Sequence, residues 1–338
     1  MNSTKYCTYL YFHSSSGFPD QILIASLAHY SYFSERYILI TNIARHLFPR
    51  GLQDRIQILS INECESQQTR LICSGLVQFW SSGVLKANCP AIELHCFKRW
   101  LILCDLFDAG LIQAHELVFA HDWDDLIYLP IKTVTDVLDS KLAESRFQPT
   151  LRPLICSHTA LPIGMHLGPH FLVINSSSVE EFRNSVLRLS RVHSRYHSKE
   201  NFPDMCIWAY LFYQNILPGK GIALLWDDLL RGEFFLDSNI RVLNPSGIPM
   251  ASRSVLIPPR YNYLDNKQTH LSIKLYDCKG PGSSLQVHYL DGRIAKGVNI
   301  HYSGVEGKYI LMHDLRSYFR DFYNARPELQ NLIDIQSP

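Results

Sequence analysis

Three aspartates are crowded into one short segment in the first half of the chain. The segment reads His121-Asp122-Trp123-Asp124-Asp125 and directly follows the apolar run Leu117–Ala120. Carboxylates packed this closely beside a core strand repel one another and resist burial, so a compensating cation is expected. Alternate residues of an extended segment point to the same side, so Asp122 and Asp124 can converge while Asp125 points away. Their oxygens suit Mg²⁺ or Mn²⁺; a surface turn with solvated charges is the alternative, because D-x-D is common by chance.

A second segment with suitable chemistry lies near the end of the sequence. It reads Asn299-Ile300-His301-Tyr302-Ser303-Gly304, and Lys308 follows it closely. A neutral imidazole at His301 is a good third ligand for an ion such as Mn²⁺. A glycine lets the backbone approach a pyrophosphate, and a lysine supplies a point charge for phosphate oxygens. A lone histidine is more often structural and a glycine-rich segment is usually a turn, so the combination carries the prediction.

Alternating strand-like and helix-like segments must position these residues. Short apolar runs predict strands at Tyr6–Phe12, Tyr37–Thr41, Arg55–Ser60, Glu116–Ala120 and Phe171–Ile174. Helical patterns occur at Asp20–Phe33, around Phe97–Phe107, around Val134–Leu142, after a capping box at Ser178, and at Asp204–Tyr213. This alternation predicts an α/β fold with a mainly parallel sheet and helices on both faces. Ligands of such sheets bind beyond the carboxyl ends of the strands, where Asp122 and Asp124 follow Ala120.

Composition excludes several classes of protein. The chain has 338 residues, of which 46% are hydrophobic, and a net charge of +1, so nothing indicates a nucleic-acid partner. We find neither the apolar stretch of a signal peptide nor a run of about 20 apolar residues that would span a bilayer. Nine cysteines without a C-x-x-C pair indicate reduced thiols. A cytoplasmic location is expected, and peripheral attachment to a membrane stays open.

The acidic segment and the later histidine segment together resemble the motifs of a known family. An apolar strand followed by D-x-D, together with a later His-x-x-Gly and a nearby lysine, resembles glycosyltransferases of the GT-A fold, closest to the retaining glycogenin and lipopolysaccharide-galactosyltransferase type. The resemblance implies that Asp122, Asp124 and His301 hold Mn²⁺ (or Mg²⁺), which binds the diphosphate of a nucleotide sugar. It implies diphosphate contacts from Lys308 and from the backbone around Gly304.

The same resemblance divides the chain into two halves of one GT-A domain. Residues 1–128 would form the nucleotide-sugar-binding half, a Rossmann-like sheet flanked by helices. Residues 129–338 would form a mixed acceptor-side half. Within it, several prolines and little periodicity predict an irregular loop around 244–268, and long loops of this kind often cover sites in compact enzymes.

Weaker similarities add three site residues. Arg99 resembles an arginine that contacts the donor, although an amphipathic helix also places such a residue toward solvent. Asn175 resembles an asparagine that borders the donor sugar. Asp204 resembles an acidic residue that faces the sugar and takes the catalytic role, with a helix N-cap as the alternative.

The function implied is metal-dependent transfer of a sugar from a nucleotide-diphosphate sugar to a hydroxyl of a glycan, lipid-linked or protein acceptor, with retention. Two alternatives stay open. One is a non-catalytic relative that binds a nucleotide sugar or carbohydrate. The other is a metal-dependent phosphatase or phosphotransferase with a nucleophilic aspartate.

Overall fold

The fold is taken from a computed structural model of the chain. The structure describes residues 5–83, 89–127, 131–144, 153–159, 166–191, 204–216, 222–225, 234–236, 241–243, 262–264, 270–275, 285–289 and 294–301. The predicted diphosphate contacts Gly304 and Lys308 lie outside these residues, as does most of the predicted irregular loop.

Helices and strands alternate through the first two thirds of the chain. The helices are α1 (Gln21–Phe33), α2 (Arg50–Arg55), α3 (Ile61–Cys64), α4 (Gln67–Ser81), α5 (Pro90–Asp108), α6 (Ile131–Glu144), α7 (Ser176–Arg191) and α8 (Asp204–Ile216), with a 3₁₀ turn at Arg45–Leu47. The strands are β1 (Tyr6–Phe12), β2 (Tyr37–Thr41), β3 (Gln57–Ser60), β4 (Leu117–His121), β5 (Asp125–Ile127), β6 (Pro153–Thr159), β7 (His166–Ile174), β8 (Ile222–Leu225), β9 (Phe234–Leu236), β10 (Arg241–Leu243), β11 (Asn262–Leu264), β12 (His270–Leu275), β13 (Leu285–Tyr289) and β14 (Ile294–His301).

The first sheet has the order β3-β2-β1-β4-β7-β6-β8. Strands β3, β2, β1 and β4 are parallel to one another, whereas β7 runs antiparallel to both β4 and β6. All five residues of β2 are buried, which explains why this strand reads as a continuous apolar run. The predicted mainly parallel sheet is confirmed, and the reversed direction of β7 is a feature that local sequence patterns do not reveal.

Helices cover both faces of this sheet. On one face, α5 packs against α4, α7 and α8, and its predicted apolar stripe is buried along Phe97, Trp100, Leu101 and Cys104. On the other face lies α1, where the Tyr30 and Tyr37 rings are 5.8 Å apart. The two-faced α/β arrangement predicted from the sequence is therefore confirmed.

A second sheet of mostly antiparallel strands follows the order β10-β11-β12-β13-β14-β5, and β9 pairs in parallel with β14. Strand β11 lies inside the region predicted to be an irregular loop, so that prediction is wrong at Asn262–Leu264. Three residues are too few for a local pattern, and this strand is defined by its pairing with β12. The short strand β5, which directly follows the acidic segment, lies at one end of this second sheet among the strands that the structure describes.

Two further findings concern membrane-spanning helices and the state of the cysteines. In the part of the chain that the structure describes, no helix combines the length and apolar character required to cross a bilayer. Seven of the cysteines in that part carry free thiols, as the sequence predicts: Cys7, Cys64, Cys73, Cys89, Cys96, Cys104 and Cys206.

Candidate active site

The acidic segment forms a tight turn that connects the two sheets. Strand β4 is buried throughout, Asp122 follows it, and the Asp125 amide donates to the Asp122 carbonyl at 3.1 Å. The Asp122 side chain is 30% exposed, whereas Asp124 is only 7% exposed and Asp125 is fully buried. The alternative of a simple solvated surface turn is therefore wrong for Asp124 and Asp125.

Arg99 links two carboxylates from distant parts of the chain. One guanidinium nitrogen, Nη1, pairs with Asp122 at the end of β4, and Nη2 lies 2.9 Å from Oδ2 of Asp204. The Arg99 side chain is 13% exposed, so its alternative assignment to a solvent-facing position is wrong. Helix α5, the turn after β4 and the start of α8 thus bring three predicted site residues together.

Asp204 is held by two donors. The indole Nε1 of Trp100 donates to Oδ2 of Asp204 at 2.7 Å, and Arg99 donates to the same oxygen. The Asp204 side chain is 4% exposed and opens α8, where its negative charge also favours the helix N-terminus. A carboxylate fixed through one oxygen has its second oxygen held in a defined direction.

The two carboxylates keep Arg99 charged despite its burial. Burial lowers the pKa of Arg99, but the charges of Asp122 and Asp204 outweigh burial and raise it above its ordinary value. One guanidinium therefore stays charged between two carboxylates, and Asp124 lies in the same turn as Asp122.

The backbone of His301 lies beside the acidic turn. In the antiparallel pair of β14 and β5, His301 is opposite Asp125 and Ile300 is opposite Leu126. Paired residues of antiparallel strands have Cα atoms about 4.5–5.5 Å apart. The fold thus places the backbone at His301 beside Asp125, the residue after Asp124. Among the side chains that the structure describes, no three His, Cys, Asp or Glu converge into a metal site.

Asn175 does not belong to this cluster. Because β7 is antiparallel to β4, Ile174 pairs with Val118, and Asn175 lies near the start of β4 while Asp122 follows its end. The five residues of β4 separate them by about 17 Å. The Asn175 side chain accepts from the Ser178 amide at 3.1 Å and caps α7. The prediction that Asn175 borders the donor sugar is wrong, as is the assignment of the α7 cap to Ser178.

A pair of stacked histidines beside the cluster was not predicted. His13 follows β1, and its ring stacks on that of His95 with centroids 4.0 Å apart. The Tyr11 hydroxyl is 2.8 Å from Nδ1 of His95, which lies one helical turn before Arg99 on α5. Burial, followed by the charges of His13 and Lys98, lowers the pKa of His95 to about 4. The four-residue spacing of His95 and Arg99 was the available sequence signal, since it places both on one helix face.

The loop after β1 is fixed to the loop after β2. The Ser14 amide donates to Oδ1 of Asn42 and Nδ2 of Asn42 donates to the Ser14 carbonyl, each at 2.7 Å. The carboxyl ends of β1 and β2 are thereby held at the same edge of the sheet as Asp122.

The chain is similar to solved structures of glycosyltransferases. Mouse xyloside xylosyltransferase 1, in its apo form, is 9% identical over 66% of this chain and 84% of that chain, with a TM-score of 0.37. The galactosyltransferase LgtC, in complex with donor and acceptor sugar analogues, is 14% identical over 68% of this chain and 75% of that chain, with a TM-score of 0.39. The glycosyltransferase GlyE of Streptococcus pneumoniae TIGR4 is 10% identical over 68% of this chain, with a TM-score of 0.39, and the match spans 47% of GlyE. No protein-family model and no curated protein sequence matches the chain.

Proposed function

We propose that this protein is a metal-dependent glycosyltransferase that moves a sugar from a nucleotide-diphosphate sugar to a hydroxyl acceptor. The observation that carries the proposal is the meeting of Asp122, Arg99 and Asp204 at the carboxyl edge of the first sheet, with the strand of His301 paired onto Asp125. This edge is where open α/β sheets bind their ligands. Acceptors of this reaction class are glycans, lipid-linked saccharides or protein hydroxyls.

The donor set fits Mn²⁺ or Mg²⁺. Asp122 and Asp124 supply hard oxygen ligands, and His301 would supply a neutral nitrogen. When bound, the ion supplies charge neutralisation at the diphosphate leaving group. Arg99 holds Asp122 from the side of α5 and so orients one of the proposed ligands.

The remaining residues would act on the sugar and the diphosphate. Asp204, anchored through Oδ2 by Arg99 and Trp100, would accept hydroxyls of the donor sugar or steady an oxocarbenium-like centre. Lys308 and the backbone at Gly304 would contact the diphosphate. Retention of the anomeric configuration is part of the proposal, as the family resemblance implies.

The test begins with the wild-type protein and a panel of nucleotide-diphosphate sugars, with and without Mn²⁺. A donor that binds the native state raises the melting temperature, and that donor is then offered with an acceptor panel. We expect transfer or slow donor hydrolysis that depends on Mn²⁺, with the anomeric proton of the product in the retained configuration by NMR.

Other outcomes identify the alternatives. Donor binding without transfer or hydrolysis favours a non-catalytic binding protein. Release of phosphate from a simple phosphomonoester favours a phosphotransferase. An inverted product leaves sugar transfer standing and contradicts retention.

A further inference from the structure

One face of α1 holds the backbone of the acidic turn. Ser26, His29 and Tyr30 have the spacing that places side chains on one side of a helix. The Ser26 hydroxyl donates to the Trp123 carbonyl at 2.8 Å, the Tyr30 hydroxyl donates to the Asp125 carbonyl, and Nε2 of His29 bonds to the Ile127 carbonyl. Three side chains of one helix thus meet three carbonyls of the segment that carries the proposed ligands.

The spacing of these carbonyls explains the arrangement. Residues 125 and 127 both lie in β5, where alternate carbonyls point to the same side, and Trp123 lies in the turn that precedes this strand. The opposite side of β5 pairs with β14, since Leu126 is opposite Ile300. Among the strands that the structure describes, β5 is at the end of its sheet, and its outer carbonyls accept from the donors of α1.

Because they are buried, the hydrogen bonds from α1 hold the backbone of residues 123–127 firmly in place. Ser26, His29 and Tyr30 are each fully buried, so water does not compete for the same carbonyls. Burial lowers the pKa of His29 to about 4, so its ring is neutral at physiological pH. Because a carbonyl only accepts, Nε2 of this neutral ring must carry the proton.

The same hydrogen bonds determine which type of antiparallel pair His301 forms with Asp125. With the Asp125 carbonyl directed to Tyr30, the pair of Asp125 and His301 is of the non-hydrogen-bonded type. In such pairs the Cα atoms are about 4.5 Å apart, the closer of the two antiparallel spacings. A shift of the turn would alter both the direction of the aspartates and the register with His301.

We propose that Ser26, His29 and Tyr30 are positioning residues for the metal site, acting through the backbone of residues 122–127 without touching a ligand. The proposal rests on the proposed function, because it assumes that Asp122, Asp124 and His301 bind the ion. It names a part of the site machinery that lies on the opposite face of the sheet from Arg99.

The test is the Mn²⁺ dissociation constant of the full chain, measured by calorimetry for wild type, Ser26→Ala, Tyr30→Phe and the double variant. Tyr30→Phe keeps the ring that stacks on His121 at 3.7 Å and removes only the donor. We expect each single variant to bind Mn²⁺ about tenfold more weakly, as is usual when a group that orients a ligand is removed.

Ser31→Ala is the matched control. It removes another buried hydroxyl of α1, one that donates at 2.8 Å to the Ala28 carbonyl of the same helix. We expect this variant to lose stability without losing Mn²⁺ affinity, which separates positioning from a general weakening of the fold. Melting temperatures of all variants establish that the proteins are folded during the titration.

The outcomes are distinguishable. Mn²⁺ affinity within twofold of wild type in both Tyr30→Phe and Ser26→Ala overturns the positioning role and leaves the proposed function intact. Equal losses in Ser31→Ala and the two test variants also overturn it, since the effect is then one of helix stability. A wild-type protein that binds no Mn²⁺ overturns the metal-dependent function itself, and the positioning role with it. If Ser26→Ala does not fold, the conservative Tyr30→Phe decides.

Discussion

Arg99 lies between two carboxylates, and this makes it the residue on which the cluster depends. Asp204 is almost fully buried, and its oxygen receives both Arg99 and Trp100. Removal of one member of a buried ion pair leaves a charge without compensation, which is more costly than replacement of both members.

Arg99→Met should therefore destabilise the protein by about 3 kcal/mol, measured as the free energy of unfolding in urea. The double variant Arg99→Met with Asp204→Leu should recover part of that loss, because the stranded carboxylate is gone. If the two single losses simply add in the double variant, the coupling between Arg99 and Asp204 is contradicted.

The location of a site residue can be predicted from the sequence when it depends only on the residue's position along a strand. Asp122 follows an apolar strand, so its place at the carboxyl edge could be read from the sequence, and Arg99 and Asp204 followed from a family pattern. The stack of His13 on His95 joins a strand end to a helix, and no local signal pairs them. The prediction for Asn175 is wrong because the direction of β7 depends on which strands it pairs with, and these pairings join residues that are distant in the sequence.

At the scale of elements, α1 connects the stability of the fold to the acidic turn. Its N-cap is Asp20, whose side chain accepts from the Leu23 amide at 2.7 Å. The helix then carries the three donors that hold residues 123–127.

Asp20→Ala should lower the free energy of unfolding by about 1 kcal/mol, because an orphan amide loses its acceptor. Asp20→Asn retains an acceptor oxygen and should stay close to wild type. Chemical denaturation of the two variants checks this, and an Asn variant as unstable as the Ala variant would contradict the capping role.

The bounds of the longer elements followed from periodicity, as in β1, β2 and α8, which begin where apolar patterning predicts. The second sheet was not predicted. Its strands β5, β9, β10 and β11 each have three residues, and such short strands are defined by their partners. For this reason no local pattern indicates that Asp125 opens a strand of a different sheet.

At the scale of the whole molecule, two buried neutral histidines connect stability to pH. Burial lowers the pKa of His29 to about 4 and that of His121 to about 3, against an ordinary value near 6.5. His121 lies under the turn, between the Tyr37 hydroxyl at 3.1 Å and the Asp122 carbonyl at 2.8 Å.

The unfolded chain binds protons at these two histidines at a higher pH than the folded chain does. Their stabilisation is therefore complete above about pH 6.5 and is lost as the pH falls toward 4, at about 1.4 kcal/mol per pH unit for each histidine. The variant His29→Gln keeps a donor for the Ile127 carbonyl but cannot titrate in this range. The free energy of unfolding, measured by urea denaturation between pH 6.5 and 4, should therefore fall less steeply with decreasing pH than in wild type, by the contribution of one histidine. A slope equal to that of wild type would contradict a neutral, buried His29.

The central claim is that Asp122 and Asp124 hold the divalent cation that a nucleotide-diphosphate sugar requires. The most direct measurement is Mn²⁺-stimulated turnover of that donor by Asp122→Asn and Asp124→Asn. The control is Asp136→Asn, which alters an exposed carboxylate on α6 that pairs only at the surface with Lys132 at 2.7 Å. We predict that both test variants lose at least about a hundredfold in Mn²⁺-stimulated turnover while the control keeps wild-type activity. Undiminished Mn²⁺-dependent turnover in both Asp122→Asn and Asp124→Asn would contradict the claim.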